Sequence, residues 1–134
     1  MVADSVSSSL NNGNLRKLDL THDLDDVADL IELCFPIQTD PDGQTYVREM
    51  RQAARDMRMM GWLSNLADFG VNRASGFVWE HAGRIVGNLS LIPFQKNGQR
   101  IHLIANVAVH PDFRRRGIAR ALTSRAMGLL RRRN

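Results

Sequence analysis

Residues Asn106 to Arg120 read Asn-Val-Ala-Val-His-Pro-Asp-Phe-Arg-Arg-Arg-Gly-Ile-Ala-Arg. A strand, a turn and a helix entry can all be read in this one stretch. Ile101 to Val109 is apolar and β-branched enough for a buried strand. Pro111 has no N–H to give to a sheet ladder, so the strand is expected to stop near His110. From Ile118 a helical period begins, with Ile118, Leu122, Ala126 and Leu129 on one face. Between strand and helix lie Arg114, Arg115, Arg116 and Gly117.

The first turn of a helix carries unpaired N–H groups and the positive end of the helix dipole. Such an end attracts anions, and neighbouring arginines suit it to phosphates. Gly117 has no Cβ, so an anion can approach its backbone closely. On their own, three arginines before a helix would be no more than a solvated turn. In this register, however, Arg114-Arg115-Arg116-Gly117-Ile118-Ala119 resembles motif A of the GNAT acetyltransferase superfamily, Arg/Gln-x-x-Gly-x-Gly/Ala. The preceding Val-Ala-Val-His-Pro-Asp-Phe is equally typical of that family. In GNAT proteins the turn wraps the pyrophosphate of acetyl-coenzyme A and the preceding strand pairs with the pantetheine arm. The resemblance therefore implies that Val107, Ala108, Val109, Arg114, Arg115, Arg116, Gly117, Ile118, Ala119 and Arg120 contact acetyl-CoA as co-substrate.

Length and composition bound the rest. A chain of 134 residues, 43% hydrophobic, fits one soluble domain with a modest core. Cys34 is alone, so no intrachain disulfide is available and no metal site is expected. No apolar run is long enough to span a bilayer and the N-terminus lacks a signal-peptide pattern, so a cytoplasmic location and no membrane association are expected. The formal charge of +4 raises a nucleic-acid reading, but the charge is polarised. Asp23, Asp25, Asp26, Asp29 and Glu32 crowd the first helix, while Arg114–Arg116, Arg120, Arg125 and Arg131–Arg133 crowd the end. Phe113 is the only aromatic near those arginines, so the interleaved stacking residues of a single-strand binder are missing.

In chain order, residues 1–14 are rich in serine and asparagine and are expected to be a flexible segment. Residues 15–134 are expected to form the GNAT-like domain, opening with a short strand at Leu15–Leu20. Thr21 or Asp23 can cap a helix from about Leu24, with Leu24, Val27, Ala28, Ile31 and Cys34 facing the core. Phe35–Gly43, with two prolines and a glycine, is a turn, and a second helix is expected over Gln44–Met60. Its apolar face is read as Tyr46, Met50, Ala53, Met57 and Met60. Gly61–Ser75 is too apolar for a free loop, and a short extra helix is expected there. Strands follow at Gly76–Glu80, Arg84–Pro93 and Arg100–Val109, with Asn97-Gly98 as a turn pair. The order β-α-α-β-β-β-α gives an α/β (α+β) fold with a mostly antiparallel sheet, the partial GNAT fold through motif A.

The resemblance also implies elements after the last helix, so the domain reads as C-terminally truncated relative to the family pattern. The strand before the phosphate turn would then present an open edge of Ile101, Leu103, Ile104 and Val107, which invites a homodimer. The implied activity is N-acetyl transfer from acetyl-CoA to an amine by direct attack, with Phe35–Tyr46 on the acceptor side. A positioned base can deprotonate the amine, and Glu80, His102 and His110 are the candidates. Each has a structural alternative, as a surface charge, a sheet residue and a turn residue respectively, so the catalytic residues remain unassigned. Tyr46, the sole tyrosine, lies on the second helix and does not match the family's usual acid. Two other classes compete: an acetyl-CoA-binding protein without turnover and, lower, a basic nucleic-acid module.

Overall fold

Two tight turns shape the second half of the chain. Ala82 and Gly83 have φ of 50° and 79°, and Asn97 and Gly98 have φ of 52° and 76°. Two successive left-handed residues make the two-residue turn whose twist matches antiparallel strands. Accordingly His81 pairs with Arg84, and Lys96 pairs with Gln99. The computed structural model describes residues 13–59 and 75–133. Within them run β1 (Gly13–Lys17), α1 (Leu24–Cys34), a 3-10 turn (Ile37–Thr39) and α2 (Pro41–Met59). Then come β2 (Ser75–His81), β3 (Arg84–Lys96), β4 (Gln99–Val109), a second 3-10 turn (Pro111–Phe113) and α3 (Ile118–Arg133). The four strands form one sheet in the order β1-β2-β3-β4, antiparallel throughout. The expected mixed α/β architecture, element order and antiparallel sheet are all observed.

Strand alternation sends side chains to two faces, and each face is covered by helix. On one face Phe77, Val86, Leu89 and Leu91 pack with Ile118, Leu122 and Ala126 of α3. On the other, Val78 packs with Val27, Ala28 and Ile31 of α1 and Val47 of α2. At Gly87 a Cβ would lie 2.8 Å from Ile118 Cγ2, so glycine is what lets the start of α3 sit directly on β3.

Ion pairs tie the first half together. Arg51 of α2 reaches Asp29 and Glu32 of α1 at 2.7 and 2.8 Å, and Arg58 reaches Asp25. Much of the acidic crowd on α1 is thus matched by its neighbouring helix, though exposed pairs contribute little each. Arg16 of β1 reaches Asp23 at 2.6 Å and Glu80 at 2.7 Å. The hydrogen bond to buried Asp23 is the main reason that the Arg16 pKa lies above its usual value, with Glu80 adding to it against the cost of burial.

Some boundaries differ from expectation. β1 begins at Gly13, inside the segment expected to be flexible, because Gly13 to Lys17 pairs with His81 to Phe77. α2 begins at Pro41, since proline suits the first helical position and the Asp40 carboxylate accepts from the Asp42 N–H. Its buried residues are Val47 and Ala54, with Tyr46 and Met50 beside them, so the core face is rotated from the expected stripe. Asp23 stands at the N-cap of α1, but its carboxylate accepts from Arg16 and the Asp19 N–H rather than from the helix. Residues 1–12 and the helix expected within Gly61–Ser75, up to residue 74, lie outside the described residues, as does Met60. No helix among the described residues is long and apolar enough to cross a membrane.

Leu122 is wholly buried between α3 and β3. Leu122→Ala is expected to cost about 2–5 kcal/mol in a urea titration, whereas exposed Met127→Ala should change stability by less than about 0.5 kcal/mol.

Candidate functional site

The pairing of β3 with β4 breaks between Asn88 and Ser90: Asn88 faces Ala108, but Ser90 faces Ala105. Asn106 and Val107 therefore share one place opposite Leu89, which is a β-bulge in β4. Asn106 takes φ of 54°, a left-handed conformation that asparagine tolerates better than most residues. Its side-chain amide donates to the Tyr46 hydroxyl at 2.7 Å, and its carbonyl accepts from Asn88 Nδ2 at 3.0 Å. Asn88 Nδ2 also lies 3.3 Å from the Ser90 hydroxyl. Burial pushes the Tyr46 phenol above its ordinary pKa, and hydrogen bonds with Asn106 and Ser90 offset part of that rise. Asn88 and Ser90 are not among the expected site residues, and Tyr46 is expected only as the end of the acceptor-side segment. The signal for Asn88 and Ser90 is the pair of polar residues at alternate positions in the apolar run Ile85–Ile92.

Beyond the bulge, the His110 N–H donates to the Val86 carbonyl at 2.8 Å. Backbone direction alternates along a strand, so the N–H and C=O of Val109 point away from β3. Among the described residues β4 has no partner on that side. The Val109 carbonyl accepts from Arg114 Nε at 3.0 Å and lies 3.4 Å from the Cys34 thiol. Arg114 thereby folds the turn back onto the strand and brings residues 107–109 and 114–120 together.

Phe113 anchors that turn. Its ring meets His81 at 4.9 Å and His110 at 5.8 Å between centroids, and the Arg116 guanidinium stacks over it at 5.0 Å. Arg115 and Gly117 both have positive φ, 63° and 83°, which curls the backbone around a hollow. A Cβ at Gly117 would meet nothing within 4 Å, so the space beside it is open. The Ala121 N–H bonds the Gly117 carbonyl, making Gly117 the residue before the first helical turn. The N–H groups of Ile118, Ala119 and Arg120 then have no helical partner. The Ile118 side chain is core, so this residue faces the open side only through its backbone. Ala108 also has a core side chain, but by the same alternation its backbone is directed at Asn88 of β3, so it does not face the open side.

The three candidate bases do not gather at the bulge. Glu80 is held by Arg16 on β2, two strands from β4. His102 lies four residues before Asn106, about 13 Å along the strand, opposite Pro93. His110 is adjacent to the turn, but its Nδ1 accepts from the Asp112 N–H at 3.1 Å, and Nε2 has no hydrogen bond among the described residues. His110 also lines a cleft of about 280 Å³ with Asp26, Asp29 and Arg84.

A strand with a bulge, running into a left-handed turn and a helix entry, is the arrangement found where the acetyltransferase (GNAT) family model matches, over residues 24–134. The chain belongs to the GNAT family. Solved structures with the same fold include a GCN5-related N-acetyltransferase from Ralstonia eutropha, 22% identical with a TM-score of 0.62 over 90% of this chain and 77% of that one. A predicted acetyltransferase from Clostridium acetobutylicum, solved with acetyl-CoA, is 18% identical with a TM-score of 0.61 over 91% of this chain and 75% of that one. An acetyltransferase from Trypanosoma brucei is 25% identical with a TM-score of 0.56 over 89% and 75% respectively. No curated protein sequence matches the chain.

Tyr46 is the sole tyrosine, so its ionisation can be followed alone by ultraviolet absorbance. The midpoint is expected above the ordinary value near 10, because burial disfavours the phenolate. Asn106→Ala should raise it further by removing a donor to that oxygen. A folded-state pKa above the unfolded one means that the associated stability is complete below pH 10 and fades as pH rises through the folded value. A midpoint at or below the ordinary value in the folded protein would contradict this environment.

Proposed function

We propose that this GNAT-family protein is an N-acetyltransferase that takes acetyl-CoA along β4 and around the Arg114–Gly117 turn and passes the acetyl group to an amine. The observation that carries this reading is the turn itself. Consecutive exposed arginines, an open glycine at φ 83° and a helix start converge where β4 ends. These residues fit a diphosphate: it needs several N–H donors, cationic partners and room beside the backbone, and the turn supplies all three.

In this account the N–H groups of Ile118, Ala119 and Arg120 and the Arg115 and Arg116 guanidinium groups hold the phosphates. The outward backbone of Val107 and the outward N–H of Val109, whose carbonyl is taken by Arg114, hold the amide-bearing arm. Acetyl-CoA supplies a thioester carbonyl that an unprotonated amine can attack directly. A backbone N–H at the bulge can steady negative charge developing on that carbonyl oxygen. The Phe35–Tyr46 segment, between α1 and the first turns of α2, forms the acceptor side. The open edge of β4 before the bulge, where Leu103 is exposed, is where we place a second copy of the chain in a homodimer.

A second reading, a protein that binds acetyl-CoA without turning it over, is favoured by the dispersal of Glu80, His102 and His110 away from the bulge. One assay separates the two. With acetyl-CoA and a panel of small amines, peptide N-termini and lysine peptides, release of free CoA thiol is expected, and Arg115→Ala with Arg116→Ala should raise KM for acetyl-CoA about tenfold or more. Binding without thiol release for any amine would leave the non-catalytic reading.

A further inference from the structure

We propose that Tyr46 is a positioning residue that clamps the β4 bulge from the opposite helix layer. This rests on the cofactor reading above, and it adds a link between the acceptor segment and the cofactor strand. Tyr46 belongs to α2 and Asn106 to β4, sixty residues apart, yet the Asn106 amide reaches the phenol at 2.7 Å. Asn106 is also the residue whose left-handed φ makes the bulge. Its other main polar group, the backbone carbonyl, is held by Asn88. The bulge residue is thus gripped at its side chain by a helix and at its backbone by a neighbouring strand.

The grip is costly, and that points to a role beyond stability. Asn88 is wholly buried, and its Oδ1 receives no hydrogen bond among the described residues. Turning the Asn88 amide over would set Oδ1 against the Asn106 carbonyl, so the orientation that supports Asn106 is the one that orphans Oδ1. A buried acceptor without a donor is expensive, and an apolar residue at this place would fold more cheaply. Asn88, Ser90, Asn106 and Tyr46 are also the polar intrusion in a face otherwise made of Val27, Ala28, Ile31, Val47 and Val78. What the intrusion fixes is the direction of the backbone at Val107, where the open edge of β4 passes the bulge. Through Tyr46 the segment Phe35–Tyr46 and the edge of β4 move as one body.

The test uses the whole ¹⁵N-labelled chain and Tyr46→Phe, which keeps the ring and removes the hydroxyl. Amide exchange at Ala108, just after the bulge, is expected to quicken about tenfold, with Phe77 and Val86 on the far face unchanged. Acetyl-CoA affinity by calorimetry should fall about tenfold. Adding Asn106→Gly should return both values to within about threefold of wild type, because glycine takes a left-handed φ without a clamp. Asn106→Gly and Asn106→Ala in the wild-type background give the same comparison should Tyr46→Phe fail to fold: glycine is expected to preserve Ala108 protection and alanine to lose it. Unchanged Ala108 exchange in Tyr46→Phe, or losses that Asn106→Gly does not rescue, would overturn the clamp. Absence of acetyl-CoA binding by wild type would overturn the cofactor reading instead, and the exchange data would still decide the clamp.

Discussion

The seating of α3 on β3 is the constraint on which the rest of the site depends. Ile118, Leu122 and Ala126 form a stripe at steps of four, and it lies against Val86, Leu89 and Leu91 with no Cβ at Gly87 to hold it off. Because Ile118 is both the first helical residue and a core residue, burying it fixes where the helix begins. The residues between Val109 and Ile118 have to close that gap, and Phe113 stacking and Arg114 bonding to the Val109 carbonyl determine how they do so. The anion-attracting helix start is therefore placed by apolar packing behind it, and not by the charges in front of it. Arg115, Arg116 and Arg120 are left exposed with no acidic partner among the described residues.

The other face of the sheet works differently. α1 and α2 meet it through a small apolar cluster, and their mutual contact is supported by ion pairs from Arg51 and Arg58. Into this face the chain introduces Asn88, Ser90, Asn106 and Tyr46, a polar group with one acceptor unsatisfied. The α3 face holds the fold, and the α1–α2 face carries the feature that departs from good packing. Such departures concentrate where structure is set by function.

How much of this was legible in the sequence follows from how local each feature is. The strand end at Val109, the start of α3 and the Asn97-Gly98 turn depend on proline, glycine and periodicity within a few residues, and all stand where expected. The start of α2 was placed three residues late, because Pro41 was read as a breaker when it serves as the first helical residue. The bulge was not legible: it depends on which β3 residue faces Asn106, and nothing near Asn106 records that. Glu80 looked free to act as a base because its partner, Arg16, lies sixty-four residues earlier in the chain. Tyr46 was counted with the methionines of its helix, since periodicity reports the ring and is blind to the hydroxyl.

The central claim is that the Arg114–Gly117 turn holds the diphosphate of acetyl-CoA, and the most direct measurement is calorimetric titration of acetyl-CoA into wild type and Gly117→Glu. At φ 83° a non-glycine residue costs about 1–3 kcal/mol, and the glutamate adds a negative charge in the hollow, so circular dichroism accompanies the titration to establish that α3 is retained. Saturable binding by wild type that is lost in a folded Gly117→Glu variant is the result predicted. Equal binding by both proteins, or none by wild type, would contradict it.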